Sequence, residues 1–149
     1  DSVYLARTDG VLEKRQSDSG FVVWRSQPGK GWVYPPVQSR GKLFTGGQDG
    51  MIWQLDPKTG APIGQYKLDQ EMVAPMIVSN GLLITATFDG KLTAYRASNN
   101  DRALLRTVWQ ADIGTAVFDM RTVKKDLIIS DMGGQVSSID ALNGNINWQ

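Results

Sequence analysis

Apolar residues in this chain fall in short runs closed by turn-forming residues, and no window repeats them at the 3.6-residue spacing of an amphipathic helix. Four runs are rich in aliphatic and β-branched side chains: Val3-Tyr4-Leu5-Ala6-Arg7, Leu43-Phe44-Thr45-Gly46, Leu82-Leu83-Ile84-Thr85-Ala86-Thr87 and Leu127-Ile128-Ile129-Ser130. Near-continuous apolar character over so few residues predicts buried central strands. Each is followed by a run that alternates more clearly, at Val11 to Arg15, Met51 to Leu55, Lys91 to Tyr95 and Gln135 to Ile139. Asp9-Gly10, Asp49-Gly50, Asp89-Gly90 and Gly133-Gly134 stand between the paired runs. Such dipeptides reach positive φ cheaply, so each pair of runs predicts a tight hairpin.

The hairpins are periodic. Their second glycines lie at 10, 50, 90 and 134, spacings of 40, 40 and 44 residues. A second turn follows each in phase, at Asp18-Ser19-Gly20, Lys58-Thr59-Gly60, Ser98-Asn99-Asn100 and Leu142-Asn143-Gly144. A period in the low forties points to propeller blades. A third strand is expected after each second turn, at Phe21 to Arg25, Ile63 to Leu68, Leu104 to Gln110 and Ile146 to Trp148. A fourth is expected ahead of the next repeat, at Val33 to Gln38, Val73 to Val78 and Val117 to Val123. Pro35, Pro36 and Pro75 place that strand at a sheet edge, the innermost strand of a blade. The reading is an all-β chain, one β-propeller domain or segment over residues 1–149, with four-stranded antiparallel blades repeating at about 1–32, 33–72, 73–116 and 117–149.

Composition narrows the chemistry. A chain of 149 residues, 41% hydrophobic, buries about 68 to 70% of its unfolded surface, enough for a packed core. Sixteen basic and fifteen acidic residues leave a net charge of +1, which gives no reason to expect a nucleic-acid partner. There is no Cys and no His, so thiolate metal sites, thiol nucleophiles and Ser-His-Asp chemistry are excluded within the chain. The longest nearly apolar run, Gly81 to Ala86, is far short of the roughly 20 residues of a membrane-spanning helix. The chain begins at Asp1 rather than Met, as expected if a targeting segment has been removed or the chain is part of something longer.

The segment Gln48-Asp49-Gly50-Met51-Ile52-Trp53-Gln54-Leu55-Asp56-Pro57-Lys58-Thr59-Gly60 resembles the repeat of the pyrroloquinoline-quinone-like (PQQ-like) propellers: an Asp-Gly turn, an apolar strand, then Leu-Asp-x-x-Thr-Gly and often Trp four residues later. Gly20 to Trp24 and Ile139 to Trp148 carry the same pattern. Gly64 stands where the Trp is expected in repeat two, and an insertion near Asn100 to Ala103 displaces the aromatic of repeat three to Trp109. The resemblance implies one of three roles: a quinone-dependent dehydrogenase, an outer-membrane assembly propeller of the BamB type, or a stress-sensing ectodomain.

Asp9, Asp49 and Asp89 suit the first position of their turns better than a ring of calcium ligands or catalytic bases, because the fourth repeat has Gly133 instead. Trp24, Trp53, Trp109 and Trp148 have rings that could stack on a planar cofactor, but those at the third-strand position suit wedges between blades better. No catalytic, cofactor-binding or metal-binding residue is assigned. Quinone and calcium would enter only with a dehydrogenase, whose site would need further blades. The loops linking the third strand to the next repeat should lie at the Asp-Gly end, where propeller partners dock. Their candidate contact residues are Lys30, Trp32, Asp69, Glu71, Met72, Asp112 and Phe118, with Trp32 and Met72 read as equivalent positions.

With three strands in the first repeat and four in each other, the expected arc is open and favours a protein partner or self-association into a larger propeller. The resulting expectation is a noncatalytic protein-binding scaffold of the bacterial cell envelope, periplasmic or associated with the outer membrane. A fragment of a PQQ-dependent dehydrogenase or a sensor ectodomain is the alternative.

Overall fold

The computed structural model describes residues 1–98 and 105–149. The expected insertion near Asn100 to Ala103, the turn residues Asn99 and Asn100, and Leu104 lie outside them. Strands β1 (Ser2–Ala6), β2 (Leu12–Gln16) and β3 (Val22–Ser26) form the first sheet. The second orders β4 (Val37–Ser39), β5 (Lys42–Gly46), β6 (Met51–Leu55) and β7 (Pro62–Lys67) side by side. The third does the same with β8 (Ile77–Ser79), β9 (Leu82–Ala86), β10 (Lys91–Ala97) and β11 (Leu105–Asp112). The fourth holds β12 (Val117–Val123), β13 (Asp126–Asp131), β14 (Val136–Asp140) and β15 (Ile146–Trp148). Every pairing is antiparallel, so the chain is all-β and its sheets are the blades of a partial propeller.

The four hairpins share one register. Ala6 faces Leu12, Gly46 faces Ile52, Ala86 faces Leu92 and Ser130 faces Val136 across the Asp-Gly or Gly-Gly turn. At Gly50 φ is +68°, the left-handed region that a hairpin turn demands and glycine enters without a Cβ clash. Period-two alternation then gives each blade two faces. Leu12 and Trp24 face the second blade, Ile52 and Tyr66 the third, and Leu82, Ile84, Leu92, Ala94 and Trp109 the fourth, where they meet Leu127, Ile129 and Ile139. The core is therefore three clusters, one in each space between successive blades.

The innermost strands are shorter than expected. β4 and β8 hold only three residues each, and Pro35, Pro36 and Pro75 precede them instead of lying within them. Val33 and Met72 reach the neighbouring strand only as single bridges, to Gly47 and Thr87. A proline offers no ladder donor, so the pairing splits around it. β12, which has no proline, runs unbroken over Val117–Val123. β4 and β12 both approach β8, which places these strands on the axis side of the arc.

Two tryptophans lock adjacent blades. Trp24 on β3 donates Nε1–H to the Pro57 carbonyl of the second blade at 3.2 Å, and Trp109 on β11 donates to the Ala141 carbonyl of the fourth at 3.0 Å. Each ring lies against the turn glycine of the next blade. A Cβ built on Gly60 would stand 2.5 Å from Trp24 Cε3, and one on Gly144 2.5 Å from Trp109 Cε3. Only glycine leaves space for that approach, and its φ of +73° or +78° adds a second reason. Between the second and third blades, where Gly64 replaces the tryptophan, Tyr66 and Tyr95 pack edge to face at 5.4 Å instead.

Candidate functional loop surface

The Asp-Gly turns and the loops between blades converge on one end of the arc. The Leu68 amide donates to the Gly50 carbonyl at 2.8 Å and that of Ile113 to Gly90 at 3.0 Å, tying each outgoing loop to the turn of its own blade. The incoming side is tied in register: Gln48 N donates to Trp32 O at 3.1 Å, Phe88 N to Glu71 O at 3.1 Å and Met132 N to Ala116 O at 2.9 Å. These bonds make Trp32, Glu71 and Ala116 the equivalent positions, and Val33, Met72 and Val117 the next set.

Met72 is thus corrected from a rim residue to a core residue. The loop before it is one residue shorter in register than the loop before Val33, and a one-residue slip turns a side chain to the opposite face. It is 1% exposed, packed with Phe44, Met76 and Leu83, and its sulfur fills the space that Gly46 leaves. Trp32 is half-buried, edge-on to Tyr34 at 4.7 Å, and lines a largely apolar hollow of about 350 Å³ with Ala6, Arg7, Thr8, Val33 and Pro35. Lys30, Asp69, Glu71, Asp112 and Phe118 are exposed. Asp112 turns back on its own loop, accepting from the Gly114 amide at 2.9 Å.

The turn aspartates act on local backbone and neighbouring side chains. Asp9 accepts from Val11 N at 3.2 Å and Asp49 from Met51 N at 3.0 Å, the short-range bonds of an Asx turn. In the fourth blade Asp131, just ahead of Gly133-Gly134, takes over and accepts from Gln135 N at 2.9 Å. The Thr115 hydroxyl also donates to Asp131, at 2.7 Å, and these bonds hold its carboxyl below the usual aspartate range. Asp89 is likewise lowered, first by the Thr87 hydroxyl and then by Lys91. Among the described residues no three Asp or Glu side chains are grouped to hold a metal.

The model of the family described as outer membrane protein assembly factor BamB matches residues 8–149. The chain belongs to the BamB family. Among proteins so named, that of Burkholderia pseudomallei is 32% identical over 103 residues, 68% of this chain and 26% of that protein. The Bordetella pertussis protein is 22% identical over all of this chain and 39% of its own length. The chain thus spans well under half of these BamB relatives. In fold it resembles the computationally designed Ika8 protein, with a TM-score of 0.79 and 15% identity over 98% of this chain and 45% of that one. The designed Ika4 protein gives 0.71 over 92% of this chain and 83% of its own.

The tryptophans divide by position. Trp24 and Trp109 are buried between blades, Trp53 on β6 donates to the Asp49 carboxylate at 2.9 Å, and Trp148 is 52% exposed. Two loop-end residues escaped the reading of the sequence. Phe88 and Met132, each just ahead of a first turn, are 59% and 66% exposed, and Phe118 is 69% exposed. The signal was present: Thr8 and Gln48 hold the same place in the other repeats, so an apolar residue there departs from its own repeat. Among the described residues no helix is long and apolar enough to cross a membrane.

Proposed function

We propose that the chain is a noncatalytic binding scaffold of the bacterial envelope that presents its loop end to a protein of the outer-membrane assembly process. The observation carrying this reading is the exposure of Phe88, Phe118 and Met132 at the end where the inter-blade loops converge, on a family background of assembly factors. Large apolar side chains held in water by a packed scaffold favour burial in an interface, and each fully buried contributes about 1.5–3 kcal/mol. Around them stand the exposed acids Asp69, Glu71 and Asp112, with Lys30 in the first loop. The partner surface that fits is therefore apolar with basic groups at its rim. Rigid display suffices for this role, and it uses neither quinone nor calcium. The reading also puts the chain in the periplasm, where such partners are met.

The test is the triple substitution Phe88→Ser, Phe118→Ser and Met132→Ser. The folded variant should keep its melting temperature within a few degrees and lose roughly tenfold or more in affinity for the outer-membrane assembly machinery. Unchanged affinity would reject the loop end. Saturable binding of pyrroloquinoline quinone with calcium, coupled to dye-linked alcohol or sugar oxidation, would reject the scaffold.

A further inference from the structure

The net charge of +1 hides a separation of charge along the axis of the arc. At the loop end Asp9, Asp69, Glu71, Asp89 and Asp112 are exposed. Two of the cations there are tied to them, Arg7 to Asp9 at 2.7 Å and Lys91 to Asp89 at 3.0 Å. The opposite end of the second, third and fourth blades carries the reverse sign. Arg40 stands in the turn between β4 and β5, Lys58 in that between β6 and β7, and Lys124 and Lys125 in that between β12 and β13, all exposed. Arg96 and Arg106, one step from the same end of β10 and β11, are exposed too and face each other directly across the ladder.

None of these cations pairs with a carboxylate among the described residues. The acids of the same blades at this end are half-buried and engaged by their surroundings. Asp56 accepts from Lys58 N at 2.7 Å, Asp140 from Leu142 N at 2.8 Å and Asp126 from Asn147 Nδ2 at 3.2 Å. The exposed acids Asp1 and Asp18 belong to the first blade. Exposed cations therefore outweigh half-buried acids across three blades, and the end is positive. Like charges directly opposite in a ladder cost stability, a cost that an external anion removes. The separation lies between the two ends of the axis, not on the faces by which blades stack.

We infer that this end of the arc rests on an anionic phospholipid surface, with the loop end turned away from it toward the protein partner. The cations sit on separate turns and strand ends of three successive blades, so their charge is spread over an area and does not converge on one point. Spread charge matches a plane of head groups, where each cation near the surface adds about fivefold to partitioning. One bound phosphate would call for convergent donors instead. The choice of a bilayer over another polyanion rests on the envelope placement proposed above, where lipid phosphate forms an extended anionic surface.

Co-sedimentation of the chain with vesicles tests this. Vesicles of phosphatidylglycerol and phosphatidylcholine in equal parts should carry the chain down, and phosphatidylcholine alone should leave it in solution. Raising salt from about 0.1 to about 1 M, which cuts the screening length from about 10 to about 3 Å, should release it. The triple variant Lys58→Gln, Arg106→Gln and Lys125→Gln should keep the parent's melting temperature and lose roughly thirtyfold or more in partitioning. Lys67→Gln, at the loop end, should bind within about twofold of the parent, since the screening length of about 10 Å keeps it out of reach of the surface. No binding to the anionic vesicles, equal binding to the neutral ones, or unchanged binding of the folded triple variant would overturn the proposal. Salt-sensitive binding of a polyglutamate peptide without vesicle binding would also overturn it and give this end to an acidic protein segment. Partner affinity is measured with no lipid present, so failure of the vesicle test leaves the loop-end reading standing, and failure of that reading leaves the vesicle result unchanged.

Discussion

Substituting Gly60 by Ala tests whether blade packing depends on the close approach of a tryptophan to a turn glycine. Two penalties act at this site. Placing an L side chain at φ +73° costs about 1–2 kcal/mol. The new methyl would also stand 2.5 and 2.7 Å from Trp24 Cε3 and Cδ2, so the ring must move, and overpacking of this kind costs about 1–3 kcal/mol. Gly41 supplies the control: φ is +72°, it is exposed, and nothing among the described residues lies within 4 Å of its Cβ position. Gly41→Ala should therefore lose only the conformational part, about 1–2 kcal/mol. Gly60→Ala should lose about 2–5 kcal/mol, the sum of both parts. Urea unfolding of the two variants, followed by tryptophan fluorescence and circular dichroism, measures the difference. Equal losses at the two glycines would refute the steric account of the lock.

Trp109→Phe replaces the indole with a smaller aromatic ring and leaves the Ala141 carbonyl without its 3.0 Å donor, so chemical denaturation should show a loss of at least about 1–3 kcal/mol. Glu13 is held below its usual pKa, first by Arg25 and then by Arg15, so its contribution is present above the unfolded-state value and disappears as pH falls through the folded one. Glu13→Gln should accordingly lower the urea midpoint more at pH 7 than at pH 3, and equal shifts at both would contradict that sign. Lys124 has φ +56° in the turn between β12 and β13, where Arg40 and Asn80 occupy the matching positions of the sister blades. Lys124→Asn, with a residue that tolerates the left-handed region, should raise stability by about 0.5–1 kcal/mol in thermal unfolding.

Hairpins were legible because their determinants are local. Asp49-Gly50 and the alternation after it define a turn and two faces without reference to the rest of the molecule. The proline-bearing inner strands were less so, since Pro35 and Pro75 mark an edge but not where pairing resumes. Met72 shows the limit of counting: its place relative to the repeat matched Trp32, whereas the bridge to Thr87 pairs it with Val33 and sends it inward. Tertiary register decided that burial, through the space left by Gly46. Likewise, Gly133 gave reason to discount turn aspartates as ligands, but only the structure showed Asp131 taking over the turn bond. The loop surface could be located by topology, yet Phe88 and Met132 emerged only once their exposure was known.

The most direct test of the scaffold reading is site-specific photo-cross-linking in cells. A photoreactive residue replaces Phe88, Phe118 or Met132 at the loop end, or Arg40 or Lys58 in the turns at the opposite end. The account predicts cross-links to proteins of outer-membrane assembly from the loop end and none from the other. Equal labelling from both ends, or labelling from Arg40 and Lys58 alone, would contradict it.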